Sequence, residues 1–258
     1  MSSVWLTIVV PIRDDEEGLR RTISSIAAQD LDGVEVLVVD SSRDRDLVAS
    51  MCSDVADIIW IEPQGVYPAM NAGLKQASGT YIQFLGAGDA LHDSTVLGRI
   101  RRKSESGAPW MFGPVQIISA SGDASITPRW DYAAERKHLF ARGLFPQHQG
   151  TFARTEILRE LGGFSTTYRI AADYTMLLRL SQIADPLEVV FLVADFYAGG
   201  LSTVQWQESF REFHRARLEV FKPSGWASVQ EQGDYRAQFA RVWTYREVVE
   251  PLMRRARR

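Results

Sequence analysis

Two apolar runs, Trp5–Val10 (WLTIVV) and Val34–Val39 (VEVLVV), constrain this chain more than any other feature. Both are almost unbroken and rich in β-branched residues, as expected of parallel strands covered on both faces. Between them Leu19, Ile23, Ile26 and Ala27 recur at i, i+4, i+7 and i+8, one face of a helix. Asp14 followed by Glu17 supplies that helix with an N-cap and its capping partner. Ile58–Ile61 (IIWI) and Thr80–Leu85 (TYIQFL) read as two more strands. Strand, helix, strand, helix at this spacing predicts βαβ units and a parallel sheet.

After Asp89 the rhythm loosens. Trp110–Ser119 (WMFGPVQIIS) reads as a strand broken by Gly113-Pro114, hence bent or at an edge. Residues 120–147 are loop-rich, with one helical pattern around Ala133–Arg142. A helix over Arg154–Leu161 stops on Gly162-Gly163, a helix covers Ala172–Gln182, and Glu188–Ala194 (EVVFLVA) reads as a strand. From Gln205 two amphipathic helices flank Pro223-Ser224-Gly225, with Trp206, Phe210, Phe213 and Leu218 along one side as packing.

The 258 residues suffice for one large α/β domain with an added helical piece. A net charge of −3 gives no basic field for nucleic acid. The basic cluster Arg254, Arg255, Arg257 and Arg258 reads first as a solvated helix end, and second as a contact with an anionic membrane surface. Cys52 is the only cysteine, which excludes an internal disulfide and a multi-cysteine metal site and fits a reducing compartment. The run Val4–Val10 is too short for a signal-peptide core or a membrane span. The expectation is a cytoplasmic protein, at most peripheral at the inner face of a membrane.

Ligands of open α/β sheets bind at the carboxyl ends of the strands. Strand one ends on Pro11-Ile12-Arg13-Asp14-Asp15, strand two on Asp40-Ser41-Ser42, and strand four on Gly86-Ala87-Gly88-Asp89. The GAGD glycines do not make a dinucleotide fingerprint, because Leu91 stands where a third glycine is required. No Walker loop exists either. Asp89 carrying a divalent cation is then the economical way to neutralise a diphosphate, since a hard cation takes carboxylate and phosphate oxygens together. The alternative for Asp89 is a helix N-cap.

TIVVPIRDDEEGLRRTISSIAAQ, EVLVVDSS and GVYPAMNAGLKQASGTYIQFLGAGDAL, in that order, resemble the nucleotide-binding half of family 2 glycosyltransferases. The likeness continues through PQHQGTFARTEILRELGGFSTTYRIAADYTMLLRL and YAGGLS, covering roughly residues 4–202. Small bacterial transferases of cell-surface polysaccharide assembly are similar. The resemblance implies the GT-A fold, an α/β architecture with a mostly parallel central sheet flanked by helices and here a C-terminal helical extension. Residues 1–203 would be the transferase domain, with 1–90 its nucleotide-binding half and 91–203 its acceptor-side half, and 204–258 the extension.

The resemblance also implies an inverting transfer of a hexosyl or N-acetylhexosaminyl group. It would run from a nucleotide-diphosphate sugar, a UDP-sugar in most members, to a saccharide or lipid-linked acceptor. Pro11, Ile12, Arg13 and Asp15 would line the base and ribose, and Asp40 would accept a hydrogen bond from the base. Asn71 and Gly88 would lie near the donor, and Asp89 would hold Mg²⁺ or Mn²⁺. Asp173 would be the general base, with His148 and Tyr67 on the acceptor or phosphate side. One carboxylate suffices for an in-line displacement, because the diphosphate leaves on the metal and only the acceptor hydroxyl needs a base.

Four positions depart from the pattern: Arg13 replaces a tyrosine, while Ser41, Gly88 and Ala172 replace acidic residues. These departures motivate a second reading, a nucleotide-binding module of the same fold without turnover. A sugar nucleotidyltransferase is a third reading, opposed by the acidic PIRDDEEGLR segment where a basic triphosphate loop belongs.

Overall fold

The computed structural model describes residues 4–52, 54–119, 121–127, 132, 135, 136, 140, 144–197 and 205–244. Four strands form one half of its main sheet: β1 (Leu6–Ile12), β2 (Val34–Asp40), β3 (Asp57–Trp60) and β4 (Tyr81–Phe84). β1 pairs in parallel with β2 on one side and with β4 on the other, and β2 pairs in parallel with β3. Every residue of β1 is buried, which is why the run has no polar alternation. Its side chains still divide by strand period. Ile8, Val10 and Ile12 join the core under α1 (Glu16–Ala27) and α2 (Arg45–Cys52), and Val9 joins the core under α3 (Val66–Gln76). Each such aliphatic side chain contributes about 1.5–3 kcal/mol of burial.

Helix α3 lies close against β1 at Gly73, where a Cβ would stand 2.4 Å from Val9 Cγ1. Any larger residue there would push α3, and the tyrosine in its first turn, away from the sheet.

The other half of the sheet is built from β6 (Trp110–Phe112), β9 (Thr151–Arg154) and β10 (Leu187–Glu188), giving the order β10-β6-β9-β4-β1-β2-β3. β9 runs antiparallel to both β4 and β6, so the sheet is mostly parallel with one reversed strand. A second sheet of β5 (Ala90–Leu91), β11 (Ala194–Tyr197), β7 (Val115–Ile118) and β8 (Ala124–Ile126) was not foreseen from the sequence. Helices α4 (Val96–Ser104), α5 (Thr155–Glu160), α6 (Ala172–Ile183), α7 (Trp206–Phe221) and α8 (Trp226–Thr244) complete the described elements.

Three local expectations are corrected. The cap of α1 is Asp15, whose Oδ1 accepts from the Gly18 N–H at 2.9 Å. Asp14 is unable to cap, because it takes φ 52° and turns its carboxylate to the backbone N–H and Nε of Arg43. The broken strand at Gly113-Pro114 is two strands in different sheets, β6 and β7. Glu188–Ala194 is not a strand along its length. Its middle packs Val189 and Val193 over Gly113, where a Cβ would meet either side chain within 2.6 Å, and leaves Val190 exposed.

Most of the helical pattern at Ala133–Arg142, the segment from Ala198 to Val204, and the arginines near the C-terminus lie outside the described residues. Among the described residues no helix is long and apolar enough to cross a membrane.

Candidate active site

The carboxyl ends of β4, β1 and β2 stand side by side, so Asp89, the Pro11–Asp15 segment and Asp40 share one edge of the sheet. Asp40 is buried, and its Oδ1 braces the turn by accepting from the Ser42 N–H at 2.7 Å. Pro11 and Ile12 are buried inside β1, while Arg13 and Asp15 are exposed beyond its end. Ile12 and Asp15 line a cavity of about 240 Å³ together with Asp14, Ser42 and residues of α2. The GAGD loop is drawn to α1 by Arg21, whose Nη1 donates to the Gly88 carbonyl at 3.1 Å, and by Thr22, whose hydroxyl donates to the Asp89 carbonyl at 2.6 Å.

Gly88 has φ 107°, a conformation in which an L side chain is strained, and its missing Cβ would lie 3.8 Å from Asp15 Oδ2. The glycine in place of an acidic residue thus has a backbone reason.

Four residues from four separate segments line a cleft of about 280 Å³: Tyr67 from the first turn of α3, Asp89 after β4, His148 from a 3₁₀ turn at His148–Gly150, and Asp173 from the first turn of α6. Asp173 Oδ2 lies 3.2 Å from His148 Nδ1, and its Oδ1 accepts from the Tyr67 hydroxyl at 3.2 Å. Asp173 is not the cap of α6; that position is Ala171. Burial and the neighbouring Asp173 carboxylate push the Tyr67 phenol far above its ordinary range, so it remains a proton donor. Burial opposes a charge on His148, but the hydrogen bond and charge of Asp173, with that of Asp89, outweigh it and raise the imidazole above its usual value.

Asp89 is 7% exposed and caps no helix, since the two-residue strand β5 follows it. Gln149 Nε2 donates to its Oδ2 at 3.1 Å and the Tyr197 N–H donates to its Oδ1 at 3.3 Å. Burial nevertheless pushes its carboxyl up to about 6, partly offset by His148, those two hydrogen bonds and Arg21. Among the described residues no group of three or more His, Cys, Asp or Glu side chains could hold a metal ion. Asp89 fits a hard cation only as a single carboxylate ligand, with the remaining oxygens supplied by phosphates and water.

Asn71 does not line this cleft. Its amide donates to the Phe164 carbonyl and accepts from the Phe164 N–H, both at 2.8 Å, clamping the turn that follows α5.

Three participants escaped the sequence reading. Gln149 orients Asp89, and Gln83 Nε2 donates to the Gln149 carbonyl at 2.6 Å. The only hint was that Gln149 adjoins His148. Glu212 of α7 accepts from three backbone N–H groups just before α6, a polar contact from a helix read as an aromatic packing element. Phe213, beside it, lines the cleft and packs its ring 4.4 Å from that of Tyr174.

With this geometry in place, the likeness to known proteins is specific. The family profile described as "Glycosyl transferase family 2" matches residues 7–162. An uncharacterized glycosyltransferase of Mycobacterium tuberculosis is 27% identical over 210 residues, 78% of either chain. A PGL/p-HBAD biosynthesis glycosyltransferase of Mycobacterium bovis is 29% identical over 188 residues, 69% of this chain and 70% of that one. Among solved structures, S. aureus TarS 1-349 in complex with UDP-GlcNAc matches with a TM-score of 0.66 at 16% identity, covering 93% of this chain and 73% of that chain. The mannosyltransferase PcManGT of Pyrobaculum calidifontis, in complex with GDP-Man and Mn²⁺, matches with a TM-score of 0.62 at 16% identity, covering 85% and 65%. These two likenesses bear on the fold, which is that of the GT-A glycosyltransferases.

Proposed function

Because this chain belongs to glycosyl transferase family 2, we propose that it transfers a sugar, with inversion, from a UDP-sugar to a hydroxyl of a saccharide or lipid-linked acceptor. One observation carries the reading: the Asp173 carboxylate opens on the same cleft as Asp89 and is held by His148 and Tyr67, each at 3.2 Å. An acceptor hydroxyl is a poor nucleophile until a positioned carboxylate takes its proton during attack, and Asp173 is that base. Asp173 and Asp89 raise the His148 imidazole above its ordinary value, which favours its charged form beside the base. The Tyr67 hydroxyl and the Tyr174 N–H both donate to the other carboxylate oxygen, at 3.2 and 2.8 Å, and hold the side chain that lines the cleft.

Asp89 would hold Mg²⁺ or Mn²⁺ together with the donor's diphosphate. When bound, the cation supplies positive charge where the leaving diphosphate gains negative charge. Gln149 and the Tyr197 N–H orient the carboxylate for that purpose. The base and ribose would sit along Pro11–Asp15 and Asp40, with Gly88 beneath the diphosphate. Support for a nucleotide-sugar donor comes from the fold relatives, one described with UDP-GlcNAc and another with GDP-Man and Mn²⁺. The transferred group is a hexosyl or N-acetylhexosaminyl unit. We divide the chain into a transferase domain at 1–203 and a C-terminal extension at 204–258, and place it in the cytoplasm, at most peripheral at the inner face of a membrane.

Hydrolysis of UDP-GlcNAc, UDP-glucose and GDP-mannose, each with and without Mn²⁺, tests the reading without knowledge of the acceptor. Metal-stimulated release of UDP or GDP is expected. Nucleotide binding with no release from any donor would instead favour a binding module.

A further inference from the structure

We propose that Glu212 is a positioning residue for Asp173, which makes the first C-terminal helix part of the catalytic apparatus; this rests on Asp173 being the base. Glu212 is buried on α7, and its two carboxylate oxygens accept from three consecutive backbone N–H groups, of Arg169 at 2.9 Å, Ile170 at 2.8 Å and Ala171 at 2.9 Å. These residues immediately precede α6, and Asp173 follows them in its first turn.

Helix α6 lacks a cap of its own. Ala171 occupies the N-cap position and has no side-chain oxygen to offer the first N–H groups. The start of a helix also carries partial positive charge, which favours an anion there. Glu212 brings that anion from another helix.

The same loop is also held by α3. The single Tyr67 O–H proton is shared between the Ile170 carbonyl and Asp173 Oδ1. The loop is therefore fixed through its N–H groups by α7 and through a carbonyl by α3, and the Asp173 side chain is carried on that double clamp. Helix α7 keeps its distance through packing: the Phe213 ring lies 4.4 Å from that of Tyr174 and 5.5 Å from that of Phe145. Glu212 accepts from the loop before α6 and not from the first N–H groups of the helix, so it joins the segment that carries the base to the element that also supplies Phe213 to the cleft wall.

The test uses the full chain and whichever of the three nucleotide sugars above it hydrolyses fastest. Glu212→Gln keeps one accepting oxygen but turns an NH₂ toward N–H groups, so the loop should shift while the side-chain volume is preserved. The expected result is a loss of roughly a hundred-fold in kcat, the scale of an ångström misplacement of a reacting group. UDP affinity and donor KM should stay within about twofold, since ground-state binding is not touched.

Glu231→Gln is the control for stability. It takes the charge from one of the partners of Arg217 (2.7 Å) and from the partner of His214 (3.0 Å), between α7 and α8 and away from the Arg169–Ala171 loop, so the melting temperature should fall and kcat persist. Native kcat in folded Glu212→Gln overturns the proposal, as does an equal kcat loss in Glu231→Gln. Amide exchange in the wild type is read alongside. Slow exchange at Arg169–Ala171 is expected, and exchange as fast as in exposed loops overturns the clamp even if Glu212→Gln does not fold. A wild type that hydrolyses no nucleotide sugar overturns the functional reading itself, and the proposal with it.

Discussion

Asp173 Oδ2 stands 3.2 Å from His148 Nδ1, joining the first turn of α6 to the 3₁₀ turn that leads into β9. Neither side chain is fully exposed; they keep 17% and 23% of their surface in contact with solvent. The pair bridges two segments that are otherwise linked by a long excursion of chain, and it faces the same cleft as Asp89. Its strength should depend on the charge of the imidazole.

Because the imidazole binds its proton more tightly in the fold than in the unfolded chain, His148 contributes stability that is fully present below about 6.5, its unfolded value. That contribution disappears as pH rises through the folded value. His148→Gln should therefore lower the melting temperature more at about pH 6 than at about pH 9. Thermal melts at the two pH values check it; an equal deficit at both would show that the pair carries no linked proton.

Asp89 has the opposite sign. Its carboxyl is pushed up to about 6, so the ionised form costs the fold stability above that pH. The cost declines as pH falls toward the unfolded value near 4 and vanishes below it. Asp89→Asn should raise the melting temperature at neutral pH, by the equivalent of up to roughly 3 kcal/mol, and give no gain at about pH 4. The same variant should lose Mn²⁺-stimulated UDP binding. A destabilised Asp89→Asn at neutral pH would mean that its hydrogen bonds to Gln149 and Tyr197 outweigh desolvation.

Much of this was legible in the sequence, for identifiable reasons. The parallel core announced itself because strands buried on both faces lack alternation, as Val36–Val39 do. Asp40, Asp89 and Asp173 were legible as strand-end and helix-start acids, and four of the residues read as site candidates, Tyr67, Asp89, His148 and Asp173, meet at one cleft. The second sheet was not legible, since its strands are short and partly exposed and pair across large sequence separations, as Ala194 does with Leu91. Glu212 was invisible for a related reason: three backbone N–H partners leave no side-chain pattern to read. Asn71 reads from the sequence as a donor-side residue, and its amide pairs with the backbone of Phe164, a contact no sequence pattern announces.

Gly88 cannot be restored to an acidic residue without cost. At φ 107° an aspartate would be strained, so Gly88→Asp should destabilise the protein by roughly 1–3 kcal/mol. It should also fail to tighten Mn²⁺ binding, because the added carboxylate would be aimed by a distorted loop. Denaturant melts and isothermal titration read both effects; a stable variant with tighter Mn²⁺ binding would refute the backbone argument.

A site with one carboxylate should bind a cation poorly until phosphates arrive. Isothermal titration of the free protein with Mn²⁺ should give weak binding that UDP strengthens at least about tenfold, the effect of two added phosphate oxygens on a hard ion. Tight Mn²⁺ binding without nucleotide would contradict the assignment of Asp89 as the lone protein ligand.

The measurement closest to the central claim compares wild type with Asp173→Asn for both nucleotide-sugar turnover and UDP binding. Asparagine keeps the shape of the side chain and the contact with Tyr67 but cannot take a proton. Turnover should fall by roughly a hundred-fold or more, the contribution typical of a general base, with UDP affinity close to wild type and a loss in melting temperature no larger than that of His148→Gln at the same pH. An Asp173→Asn protein that turns over donor at the wild-type rate would contradict the account.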